Sequence, residues 1–193
     1  MNATEKPDLA ATLDQLAALD TPWTVDRADS FAAVVHHGQE DKAGAPYIDH
    51  PRRVLGYLDE LTPPSMSEEQ REHCRLVALL HDVLEDAHKS HPDTPMGPDQ
   101  LRRIHLPEPV VTALAMLCHP DDGVERTDEE YLAHYQAYVE DLASDLLART
   151  VKRADLEDNT DPARMARLTA SGQEWSARKY GPAKKFLSGL HPD

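Results

Sequence analysis

Apolar residues recur at three- and four-residue steps along most of the chain, a spacing that lays them on one face of an α-helix. Leu9, Leu13, Leu16 and Leu19 form the first such stripe, and Ala28, Phe31, Ala32 and Val35 a second, within a helix predicted from about Val25 to Gln39. Glycines and a proline break the pattern from Gly38 to Pro46, and His50 to Leu61 resumes it with Val54, Leu55, Leu58 and Leu61. Ser67 followed by Gln70 is a capping-box pattern, and it opens the most apolar predicted helix, Glu68 to Asp86. His88 to Pro98, with its prolines and glycine, reads as a surface loop whose two histidines, His88 and His91, are simply polar and exposed. A short helix over Asp99 to Ile104 follows, then one over Glu108 to Cys118 with Val110, Val111, Leu114 and Leu117 on one side. Thr127 with Glu130 caps a helix through Tyr131, Tyr135 and Tyr138, a stripe read as core packing because no basic residues interleave it. Ser144 is the expected cap of Asp145 to Asn159, and two further helices run Pro162 to Ala170 and Glu174 to Leu187. No β alternation, internal repeat or glycine-rich phosphate loop appears, so the predicted fold class is all-α.

Composition narrows the picture. The 193 residues fit one domain, and with only 5% aromatic residues the core must be aliphatic. The expected organisation is an N-terminal helix and lead-in over 1–24, a core over 25–160, and C-terminal helices over 161–193 packed on that core. A formal charge of −15 argues against a sequence-independent grip on nucleic acid, which requires clustered Lys and Arg. The longest apolar runs are too short to cross a bilayer and no charged-then-apolar leader opens the chain, so no membrane association and a cytoplasmic location are expected. Cys74 and Cys118 stand apart, without metal or redox spacing, and are expected as buried, reduced thiols.

Leu79-Leu80-His81-Asp82-Val83-Leu84-Glu85-Asp86 places four titratable groups at the end of an apolar helix, which should not bury them without compensation. His81 lies one turn from Glu85, and Asp82 one turn from Asp86. An imidazole beside a carboxylate can bind a divalent metal, with further carboxylates one turn away to orient or deprotonate water. Two distant segments supply company: Pro46-Tyr47-Ile48-Asp49-His50-Pro51 and Lys152-Arg153-Ala154-Asp155-Leu156-Glu157-Asp158-Asn159. His50, His81, Asp82 and Asp155 together offer two imidazoles and two carboxylates, a nitrogen and oxygen shell.

That set resembles the metal-binding pattern of the HD-domain phosphohydrolases. The longer string, His36-His37-Gly38-Gln39, Lys42, Gly44, Pro46-Tyr47 and His50-Pro51, then Ala78 to Asp86, resembles the hydrolase half of the RelA/SpoT alarmone enzymes, over roughly Phe31 to Asn159. The resemblance implies a single HD-domain helical bundle that removes pyrophosphate from the 3′ position of ppGpp or pppGpp, typically with manganese. It implies His50, His81, Asp82 and Asp155 as metal ligands, and Glu85 and Asp86 as the pair that positions or activates the attacking water. Lys42, Tyr47 and Asn159 match positions at the nucleotide, Tyr47 equally a support of its loop, while Lys42, Lys152 and Arg153 are by charge candidate phosphate contacts, Lys152 and Arg153 equally surface partners of nearby acids; His36 is assigned a supporting role away from the metal. The implied partner is a small phosphorylated nucleotide.

The chain departs from the alarmone pattern at three places. Asp41 stands where the family's loop usually has an arginine before the lysine, Leu156-Glu157-Asp158-Asn159 replaces Arg-Leu-His-Asn, and Pro162 replaces a threonine. The metal set is intact while the base-reading set is altered. Two other readings therefore stand beside the first: an HD phosphohydrolase for a different nucleotide, and a non-catalytic HD module that binds a nucleotide or a partner protein. Nothing resembles the synthetase or regulatory domains of the long alarmone enzymes.

Overall fold

The computed structural model describes residues 6–41, 44–119 and 122–190, and among these the fold is entirely helical, with one isolated antiparallel bridge, Glu40 to Pro46. The helices are α1 (Leu9–Ala17), α2 (Val25–Val35), α3 (Asp49–Leu61), α4 (Glu68–Leu80), α5 (Val83–Ser90), α6 (Pro98–Arg103), α7 (Glu108–Leu117), α8 (Asp128–Leu142), α9 (Leu146–Asn159), α10 (Pro162–Met165) and α11 (Ala170–Gly189). None is long and apolar enough to cross a membrane.

α4 is the axis of the bundle. Leu76 to Leu80 are all buried, so its C-terminal half is apolar on every side and must be enclosed by neighbours. α2, α3, α7 and α9 enclose it, contributing among others Phe31, Val54, Leu114 and Val151 to one aliphatic core. A second, smaller cluster joins α8, α9 and α11 through Tyr135, Val139, Leu156, Ala183 and Leu187. α9 thus faces both clusters, with Val151 and Ala154 on one side and Leu156 on the other.

Helix starts follow local chemistry. Both capping boxes form: Ser67 Oγ accepts from the Gln70 N–H while Gln70 Oε1 accepts from the Ser67 N–H, and Thr127 and Glu130 do the same. The cap of α9 is Asp145 rather than the expected Ser144, because the carboxylate reaches the Ala148 N–H at 2.8 Å while the serine hydroxyl turns back to the Asp141 carbonyl.

Several boundaries differ from expectation, beginning with α2, which ends at Val35 rather than Gln39. The predicted helix over Glu68 to Asp86 is two helices, α4 and α5, with His81 and Asp82 in the turn between them. The His81 ring accounts for the break: its Nδ1 lies 2.8 Å from the Ala78 carbonyl oxygen, where a side chain competes with the helical ladder. α5 then runs on to Ser90, and His91 is buried rather than exposed, its Nε2 2.9 Å from the Val34 carbonyl at the end of α2. At the C-terminus α10 stops at Met165, and α11 begins at Ala170 behind the Thr169 cap, earlier than Glu174. Cys74 is buried as expected, whereas Cys118 is only half-buried; burial pushes the thiols up to about 12 and about 11, so neither is a ready nucleophile.

Candidate metal centre

Three segments bring the sequence-predicted ligands to one point. His50 sits in the first turn of α3, His81 and Asp82 in the turn between α4 and α5, and Asp155 on α9. Ligand atoms of His50, His81 and Asp82 all lie within 4.8 Å of one another. The two Nε2 atoms are 3.3 Å apart; Asp82 Oδ2 lies 3.0 Å from His81 Nε2 and 3.6 Å from His50 Nε2. Asp155 Oδ1 closes the group at 3.3 Å from His50 Nε2 and 3.9 Å from His81 Nε2.

The outer nitrogen of each ring is already engaged. His81 Nδ1 meets the Ala78 carbonyl, and His50 Nδ1 lies 2.6 Å from Asp158 Oδ2. An acceptor on Nδ1 fixes the ring so that Nε2 faces the cluster, the arrangement that metal-binding imidazoles use. Two imidazole nitrogens, two carboxylates and these outer partners fit a divalent ion with nitrogen and oxygen preferences.

The surrounding electrostatics agree. Burial disfavours the charged His50 ring, yet hydrogen bonds to Asp155 and Asp158 outweigh it and push the ring to about 9. Asp155 is held well below the usual carboxylate range: burial opposes this, but the Lys152 ammonium and the His50 hydrogen bond prevail. These carboxylates demand positive charge, and in the protein alone a protonated His50 ring and the Lys152 ammonium help to supply it.

The cluster lines a cleft of about 380 Å³. Tyr47 lies in its wall and donates to Asp82 Oδ2 at 2.7 Å. Lys152 Nζ donates to Asp155 Oδ2 at 2.9 Å, and the Asn159 amide donates to Asp155 Oδ1. Glu85 lines the cleft with its Oε2 accepting from the His119 N–H at 3.2 Å; burial first, then the charges of Asp82 and Asp86, push it up to about 7. The expected acidic pair is divided, since Asp86 is buried beside Lys89 Nζ and is not among the residues lining the cleft. Arg153 is not among them either, and Lys42 lies outside the described residues. His36 is buried against the Tyr47 ring, 4.9 Å between ring centres, and supports the loop: Nδ1 meets Gln39 Oε1, and the Gln39 amide donates to the Asp86 carbonyl and to Ser90 Oγ.

Sequence reasoning missed the part of the lining that α8 supplies. Tyr131, Tyr135 and Tyr138 line the cleft as well as packing α8 against α11, with Lys179 Nζ 4.5 Å from the Tyr135 ring centre and 3.0 Å from the Tyr131 hydroxyl. Their spacing on α8 showed one face, which serves the core and the cleft at once. Asp158, one turn from Asp155 on α9, was legible by the same spacing; Arg164, brought in by α10, carried no local signal.

The family model described as HD domain matches residues 47–160. A GTP pyrophosphokinase of Myxococcus xanthus is 39% identical over 62 residues, which is 32% of this chain and 7% of that protein, so the chain spans a small part of that relative. Among solved structures, a metazoan ortholog of SpoT, described as hydrolysing ppGpp and acting in starvation responses, superposes with a TM-score of 0.58 at 19% identity, over 90% of this chain and 100% of that one. The likeness in fold therefore extends beyond the segment that the family model matches.

Proposed function

The chain belongs to the HD domain family, and from that premise we propose that it is a metal-dependent phosphohydrolase acting on a phosphorylated nucleotide of the ppGpp type, releasing pyrophosphate from the 3′ position. The observation that carries this reading is the convergence of His50 Nε2, His81 Nε2 and the carboxylates of Asp82 and Asp155 in a cleft also lined by Glu85 and three lysines. The relatives named above, a pyrophosphokinase and a ppGpp hydrolase, support the substrate class.

A divalent ion held by His50, His81, Asp82 and Asp155, assigned here as Mn²⁺, would supply a more acidic water and offset phosphate charge. The chain's own residues do the remaining work. Glu85, one turn from Asp82, takes the proton of the attacking water, and a carboxylate poised near 7 suits that exchange at neutral pH. Tyr47 fixes the Asp82 carboxylate, while Lys152 and Asn159 fix that of Asp155. Lys179 faces the cleft as a contact for phosphate, Lys152 being held by Asp155, and the tyrosines of α8 form an apolar wall for the nucleoside. A cytoplasmic location follows from this substrate class.

The test is pyrophosphate release from ppGpp by metal-stripped protein given back Mn²⁺, with Asp82→Ala as control. Release that needs both the metal and Asp82 is expected. A protein that binds Mn²⁺ but leaves ppGpp intact would refute the substrate and turn attention to other phosphorylated nucleotides. Asp41 favours that second reading, because a carboxylate in ion pairs with Arg53 and Arg164 stands where a base-stacking cation would be needed.

A further inference from the structure

Asp158 is a fully buried carboxylate, and a buried charge persists only when paired and hydrogen-bonded. Its Oδ2 lies 2.6 Å from His50 Nδ1. Arg53, one turn beyond His50 on α3, meets it from one side with Nε 2.7 Å from Oδ1 and Nη2 3.3 Å from Oδ2. Arg164 of α10 meets Oδ2 from the other side through Nη1. Two guanidiniums on one carboxylate would leave surplus positive charge beside His50. Asp41, in the loop before α3, faces both: its Oδ2 lies 3.7 Å from Arg53 Nη2 and 3.4 Å from Arg164 Nη2. Two carboxylates and two guanidiniums, drawn from three helices and a loop, thus balance in charge around a single imidazole.

We propose that Asp158 is the positioning residue for His50, and that Asp41, acting through Arg53 and Arg164, holds Asp158 in place. The inference rests on the reading of His50 as a metal ligand. The geometry gives it a specific content. With Nδ1 committed to Asp158, the His50 ring presents Nε2 to His81, Asp82 and Asp155, and a partner of this kind raises the affinity of a histidine site for metal. The arrangement also accounts for an acid at position 41 in a site for an anion. The Asp41 side chain is only 5% exposed and its charge is met by two arginines, so it does not present a repelling carboxylate to phosphate.

Calorimetric titration of Mn²⁺ into metal-stripped wild type, Asp158→Asn, Asp41→Asn and the double variant tests this, with the melting temperature of each metal-free protein measured alongside. Asparagine keeps the shape and removes the charge. Asp158→Asn is expected to weaken Mn²⁺ binding about 10- to 100-fold, and Asp41→Asn by a smaller factor, about 2- to 30-fold. The double variant should lose less than the product of the two, because both act through one chain of contacts. A merely structural role would lower the metal-free melting temperature and leave the affinity of the folded protein unchanged, and that result overturns the proposal. Should Asp158→Asn fail to fold, Asp41→Asn decides by the same criterion. Wild type that binds no Mn²⁺ would overturn the metal reading itself, an outcome visible before any variant is compared.

Discussion

Replacing Glu85 by glutamine should stabilise the metal-stripped protein at pH 8 and change it little at pH 5. Burial, together with the charges of Asp82 and Asp86, pushes the Glu85 carboxyl up to about 7 from an ordinary value of 4.5. In the unfolded chain the same group ionises near that ordinary value. Between these limits the folded protein keeps a proton that the unfolded chain releases, so stability falls as pH rises through the window. At 1.36 kcal/mol per pH unit, the penalty carried by Glu85 is about 3 kcal/mol at pH 8 and below about 1 kcal/mol at pH 5. Glutamine stays neutral throughout, and its side-chain oxygen can still accept the His119 N–H. Urea unfolding of both proteins in the presence of a chelator, at the two pH values, reads the difference directly, and groups common to both cancel in it. A variant no more stable than wild type at pH 8, or one stabilised equally at both, would refute the assignment of a strained carboxylate at this position. The same substitution should abolish turnover, since the group that destabilises the fold is the one proposed to take the proton.

Two further outcomes are expected. Ser67→Ala, which removes one half of the capping box of α4, should cost about 1 kcal/mol and lower the thermal midpoint followed by circular dichroism. Mn²⁺ affinity should rise with pH by up to about tenfold per unit between about 6 and 9, because the His50 ring, pushed to about 9 in the metal-free protein, must shed its proton to ligate; a flat profile by calorimetry would speak against His50 as a ligand.

What was legible in the sequence was what depends on near neighbours. Ser67 with Gln70 and Thr127 with Glu130 form their capping boxes because every partner lies within three residues. The apolar faces of α2, α3, α4 and α7 likewise follow from spacing alone. The break at His81 was hidden because the apolar period runs unbroken from Val77 through Val83, and only the bond from the imidazole to the Ala78 carbonyl interrupts the ladder. His91 was misjudged because its neighbours suggest a loop while its partner, the Val34 carbonyl, lies 57 residues away. The four candidate ligands do meet, yet their distances and the network behind His50 depend on how α3, α9 and α10 pack. That Arg164 faces Asp158 follows from the course of the chain around the Asp161 cap, which positions α10, and no spacing rule reports it.

The charge of the chain bears on why this cleft should need a metal at all. At −15 the protein is a poor host for an anion, and many of its acids lie outside the cleft, including Glu68 and Glu69 of α4 and Asp128 to Glu130 of α8, where they sit in first turns and favour the helix dipole. Within the cleft, Lys89, Lys152, Lys179 and Arg164 stand against Glu40, Asp41, Asp82, Glu85 and Asp155. Several of those cations are spent internally, Lys152 on Asp155 and Arg164 on Asp158 and Asp41. The part of the cleft around Asp82 and Asp155 is therefore negative whenever its histidines are neutral, and it would repel a phosphate. A divalent ion held by His50, His81 and these acids would reverse the local field where the acids converge and would leave Lys179, beside the tyrosines of α8, to meet the remaining phosphate charge. On this argument the metal would serve binding as much as chemistry.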